Sequence, residues 1–74
     1  MKITKAFRVA IAGRRRGVEV LMLRGIPAPD IIRSFLISTQ YLNPDTLKPW
    51  SDEAIRRDIR AIELDWQEGV DEDT

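Results

Sequence analysis

Three arginines, Arg56, Arg57 and Arg60, stand at helical spacing within the stretch from Trp50 to Trp66. Place Ile55 at zero and advance ~100° per residue. Ile59, Ile62 and Trp66 then fall within roughly 40° of it, and the three arginines roughly 100 to 200° away. One face is dry and the other carries guanidinium groups. Each guanidinium offers a planar fork of donors that fits a phosphate or the edge of a guanine. The competing reading is a solvated face whose arginines pair with Asp52, Glu53 and Glu63 on the same helix.

A second basic cluster, Gly13-Arg14-Arg15-Arg16-Gly17, reads as a flexible basic elbow or the start of a helix. Such segments lie along phosphates or enter a minor groove. An exposed basic turn without a ligand fits equally well.

Other chemistry has little to work with. The chain has no His and no Cys, so Ser34, Ser38 and Ser51 have no imidazole to activate them. Its carboxylates fall on solvent-facing positions or in the tail, where Asp71-Glu72-Asp73 would hold a divalent cation only loosely. Gly13 and Gly17 lack the spacing and the Lys-Ser/Thr of a phosphate-binding loop. We therefore expect no enzyme, no cofactor, no metal and no small-molecule substrate.

Seventy-four residues make one small domain with a limited core. No apolar run of about 18 residues suggests a membrane span, and Met1–Lys5 lacks the apolar core of a secretory signal. The expected location is the cytoplasm, or the host cytoplasm if the chain is phage-encoded. Net charge is zero but unevenly spread. Residues 1–24 carry seven basic side chains against Glu19, and residues 52–74 carry three against nine acids. A neutral total argues against indiscriminate adhesion and leaves room for a local basic surface.

The elements that must position these groups can be read in order. Residues 1–13 are ambiguous, because Phe7, Val9 and Ile11 alternate like a strand while Phe7, Ala10 and Ile11 fit a helical turn. They form an N-terminal basic arm or a short helix. Val18, Leu21 and Met22 mark a helix central to the core or to a dimer seam, stopped by Gly25. Pro29 and Asp30 open a second helix, which could run to about Tyr41. Asn43-Pro44-Asp45-Thr46 is a turn. Ser51 is an N-cap, Asp52 and Glu53 suit the first turn, and Trp50 is placed to staple over Ile55. This third helix should end near Gly69, leaving 69–74 as a disordered acidic tail.

Gly25-Ile26-Pro27-Ala28-Pro29-Asp30-Ile31-Ile32-Arg33-Ser34-Phe35 resembles the first half of a helix-turn-helix. Trp50-Ser51-Asp52-Glu53-Ala54-Ile55-Arg56-Arg57-Asp58-Ile59 is similar to its recognition helix. It is especially similar to the "S-x-x-T-I-R-R-D-L" form of DeoR-type repressors. The stretch also resembles the N-terminal DNA-binding domains of phage small terminase subunits, where a Trp often closes the helix, as Trp66 would here. The resemblance covers roughly residues 14–66. About a dozen residues separate Phe35 from Trp50 where the familiar connector has a few, Ile32 stands where a small residue is usual, and nothing after Trp66 could build a wing. The expected architecture is thus all-α, a wingless three-helix helix-turn-helix domain over 14–68 with a long helix 2–helix 3 connector.

The resemblance implies that Ser51, Asp52 and Ala54 lie at the front of a recognition helix of about 51–67, and that Arg56, Arg57 and Arg60 touch phosphates or base edges. Arg14, Arg15 and Arg16 would add phosphate contacts. Asp58, roughly 60° from the apolar stripe, should orient an arginine or cap a neighbour, since phosphates repel it. The expected partner is double-stranded DNA, bound by a homo-oligomer in transcription regulation or phage-type DNA packaging. The alternative is a protein assembly module using the apolar helix 18–23 and the acidic C-terminal segment.

Overall fold

Thr4 starts the first helix: its side-chain oxygen accepts a hydrogen bond from the Phe7 backbone N–H at 3.1 Å, satisfying a donor that the helix itself leaves unpaired. From there α1 runs Lys5–Leu23 without interruption. The computed structural model describes residues 4–72. Over residues 5–13 there is accordingly no strand and no separate arm; they are the first turns of α1. The Gly13–Gly17 segment is neither an elbow nor a helix start, but lies inside the same helix. Helical continuity lets the apolar side chains of Phe7, Ala10, Ile11 and Val18 share one side of α1 and pack on the core.

Gly25 ends α1 as its sequence position implies. Its φ of +78° is in the left-handed region that glycine enters without steric penalty. The Gly25 N–H donates to the Met22 carbonyl at 3.0 Å and the Ile26 N–H to the Leu21 carbonyl at 3.2 Å. That pair is the Schellman arrangement, which satisfies carbonyls left open at a helix end.

Helix α2 spans Ala28–Ile37, with Pro29 and Asp30 in its first turn. It stops four residues short of Tyr41. Ser38 supplies the reason: its hydroxyl oxygen accepts the backbone N–H groups of Gln40 at 3.0 Å and Tyr41 at 3.4 Å. Local bonding of this kind competes with helix continuation. Strands β1 (Leu42–Asn43) and β2 (Lys48–Pro49) then pair antiparallel, Leu42 opposite Pro49 and Asn43 opposite Lys48. The fold is mostly helical, and this hairpin is its one departure from an all-α description among the described residues.

Helix α3 spans Asp52–Glu72. The Ser51 hydroxyl oxygen accepts the Ala54 N–H at 3.3 Å, so Ser51 is the N-cap. The helix runs through Gly69 instead of ending there. A single glycine disfavours a helix by only about 1 kcal/mol relative to alanine. Helix α3 thus takes in residues 69–72 of the expected acidic tail, while Asp73 and Thr74, like Met1–Ile3, lie outside the described residues. No helix among the described residues is long and apolar enough to cross a membrane.

The core joins all three helices: Val18 from α1; Ile31, Ile32 and Phe35 from α2; Ile55, Ile59 and Ile62 from α3; and Trp50 at the entry to α3. Helix α3 packs on both α1 and α2, and the hairpin rests against the same two helices. Trp66 sits at the rim, beside Met22, Ile26 and Ile59.

The two glycines of α1 differ in a testable way. A Cβ at Gly13 would meet nothing within 4 Å, whereas one at Gly17 would stand 3.0 Å from Tyr41 Cζ and Oη and 3.2 Å from Phe35 Cζ. Gly13→Ala should stabilise by about 0.5–1 kcal/mol through helix propensity alone. Gly17→Ala has the same propensity gain but crowds buried Phe35, and should lose about 1–2 kcal/mol net. Urea denaturation of both variants separates the cases. Equal stabilisation would show that the close approach to Tyr41 imposes no constraint.

Candidate functional site

The three consecutive arginines of α1 leave the helix at ~100° intervals and meet three different environments. Arg14 points inward and is 5% exposed. Its Nε donates to Asp58 Oδ2 at 2.5 Å and its Nη2 to Oδ1 at 2.7 Å. Its Cζ lies 4.5 Å from the Trp50 ring centroid, a stacked cation–π contact. The other side of this arrangement is closed by Phe7, whose ring meets Trp50 edge-on at 5.7 Å between centroids.

Asp58 itself is 0% exposed. Besides Arg14 it accepts the Nε of Arg15 at 3.0 Å, so one carboxylate takes three charge-assisted bonds from two arginines. No buried side-chain nitrogen or oxygen lacks a partner among the described residues. A buried charge is tolerated only when paired and hydrogen-bonded in this manner. The sequence-based expectation that Asp58 orients an arginine is met, with two arginines held instead of one.

Arg14 must therefore be withdrawn from the set of phosphate contacts. Its donors face Asp58, and its charge is buried. Arg15 differs, because its side chain is 50% exposed and the outer part of its guanidinium faces solvent. Arg16 is exposed but lies round the helix, lining a separate hollow with Arg24 and Tyr41.

On α3 the buried positions Ile55, Asp58, Ile59 and Ile62 fix which way the helix faces. Arg56, Arg57 and Arg60 are left on the outer side and are exposed. Arg56 approaches Asp52 at 3.8 Å and Arg57 approaches Glu53 at 3.5 Å. Both are solvent-exposed i,i+4 pairs, of the kind worth about 0.3–0.5 kcal/mol, too weak to hold the arginines away from a polyanion. Arg60 makes no ion pair among the described residues. Of the remaining candidates, Ser51 and Asp52 are exposed, while Ala54 is half-buried and packs against the core.

The hairpin adds a residue that sequence reasoning missed. Lys48, together with Arg15, Arg57, Ser51 and Thr46, lines a depression between α1, the hairpin and the start of α3. Lys48 precedes a proline in a segment that reads simply as an extended connector, and only the pairing of β1 with β2 brings it beside Arg57.

No known family, characterised protein or solved structure matches this chain.

The geometry defines the chemistry the surface can do. Arg15, Lys48 and Arg57 line one depression, and Arg56 and Arg60 stand exposed further round α3. The clamp through Asp58 ties α1 to α3. Such a surface can bind an extended polyanion through hydrogen bonds and Coulomb attraction. Among the described residues no three acidic side chains stand close enough together to hold a metal ion.

Proposed function

We propose that this protein binds double-stranded DNA as a helix-turn-helix module, with α2 and α3 forming the pair and α3 presented to the major groove. One observation carries the proposal. Burial of Ile55, Asp58, Ile59 and Ile62 orients α3 so that Arg56, Arg57 and Arg60 face outward together. Phosphate contacts from these residues, Arg15 and Lys48 would supply affinity, and the front of α3 would read base edges. A single module of this size binds a half-site, so a homo-oligomer acting in transcription regulation or phage-type DNA packaging follows. Sizing with and without duplex separates the two roles: a dimer favours regulation and a ring favours packaging.

Titrating duplex affinity against salt tests the proposal. With five cations engaged, log K should fall with a slope of about −4 to −5 per log unit of salt. A flat response, or no binding at low salt, rules it out.

A second reading rests on the exposed Val20, Leu23, Leu36 and Ile37 near the C-terminal ends of α1 and α2. Exposed aliphatic groups of this kind mark protein contacts when they are contiguous, as an assembly module would require. In that case a partner would still bind after Arg56 and Arg57 are replaced by alanine.

A further inference from the structure

We propose that Leu47, the last residue of the hairpin turn, is an apolar wedge that enters the minor groove of bound DNA and opens a base step; this rests on the DNA-binding reading above. Leu47 has a φ of +58°, the one positive φ at a non-glycine residue among those described. A leucine is disfavoured there, whereas glycine or asparagine would be accommodated. The turn nevertheless holds it firmly. The Leu47 N–H donates to the Asn43 carbonyl at 2.7 Å, and the Thr46 N–H reaches the same oxygen at 3.3 Å. Asn43 Oδ1 accepts the Asp45 N–H at 2.9 Å, and Thr46 Oγ1 accepts the Lys48 N–H at 3.3 Å.

What this ordered turn presents is an aliphatic side chain 75% exposed to water. Leu47 is no part of the core cluster, so folding gains little from having leucine at this strained position. Backbone strain held in place by its surroundings points to function. An isolated exposed leucine would need no explanation; one combined with a disfavoured backbone and cationic neighbours does. Lys48, the next residue, lines the depression shared with Arg15 and Arg57, so the turn adjoins the surface assigned to phosphates. Leucine is among the side chains that slip between base pairs from the minor groove, kinking the duplex.

The test uses a duplex of about 30 base pairs rich in flexible TA steps, labelled at its ends for energy transfer, at low salt. Wild-type protein should bind and raise the transfer signal through bending. Leu47→Gly relieves the backbone strain, so it should melt at a higher temperature than wild type. It should still bind with the same salt slope, yet lose the rise in transfer. If wild type binds without bending, or Leu47→Gly bends the duplex as wild type does, the wedge is overturned and DNA binding stands. If Leu47→Gly changes the sedimentation of the free protein and leaves bending intact, Leu47 is a protein contact and the wedge is again overturned. Failure of wild type to bind any duplex removes both proposals.

Discussion

Replacing Asp58 with alanine is expected to remove about 3–5 kcal/mol of the fold's stability, a large share of the whole. The substitution removes a carboxylate that is 0% exposed and leaves Arg14, 5% exposed, without a counter-charge. Breaking a buried pair from one side costs about 3–5 kcal/mol, chiefly because the remaining charge stays desolvated. A domain of this size has only about 4–11 kcal/mol of total stability, and a chain without cysteine has no disulfide to reinforce it. Arg14→Ala should be nearly as damaging, since Asp58 would keep only the Arg15 Nε bond at 3.0 Å. Arg14→Lys should recover part of the loss, because an ammonium keeps the charge but not the two-pronged geometry. The informative variant is the double replacement Asp58→Leu with Arg14→Met. It removes both charges at similar volume, and such swaps are often neutral or stabilising. Thermal and urea denaturation should therefore show two unstable single variants and a folded double variant. A single-variant loss below about 1 kcal/mol would mean that α1 and α3 are held together without the clamp.

The same pair shows where sequence reading stops. The course of α3 was legible because every cue is local: Ser51 caps it, Asp52 and Glu53 suit its first turn, and the isoleucine spacing declares its inner face. Gly25 was legible for the same reason, since a helix end is decided within a few residues. Arg14 was not, because its partner Asp58 is distant along the chain and nothing near Gly13–Gly17 distinguishes an inward arginine from an outward one. Only the meeting of α1 with α3 assigns Arg14 to the interior and Arg15 to the edge. Residues 5–13 fit two periodicities at once, and packing of Phe7 against Trp50 resolved what spacing could not. The hairpin was hidden for a different reason. Its strands have two residues each, too short for any alternation to register, so Lys48 read as connector. Helix α2 fell short of Tyr41 because a serine side chain outcompeted the backbone at Ser38, a choice that apolar spacing does not encode.

Replacing Arg56, Arg57 and Arg60 together with alanine should lower duplex affinity by about 10²–10³-fold at moderate salt while leaving the fold intact. The two predictions are opposite in kind: Asp58 is needed for folding, and these arginines are not. All three are exposed, and the i,i+4 pairs of Arg56 with Asp52 and Arg57 with Glu53 together contribute on the order of 1 kcal/mol or less to stability. Alanine is the best helix former, so propensity offsets part of that. Each lost phosphate contact should also reduce the salt slope by about 0.9, so the triple variant should fall from about −4 to −5 to about −2. A solvated face without a ligand would show no such change. The acids paired with these arginines supply a test of opposite sign. Asp52→Asn with Glu53→Gln removes two carboxylates that a phosphate backbone repels. Duplex affinity should rise, even though the first turn of α3 loses favourable charge worth about 0.3–1 kcal/mol per residue. Weaker binding in this variant would show Asp52 or Glu53 to be among the residues at the front of α3 that read bases, because a carboxylate accepts a hydrogen bond from the amino group of cytosine. Unchanged binding in both variants would locate the DNA contact away from α3.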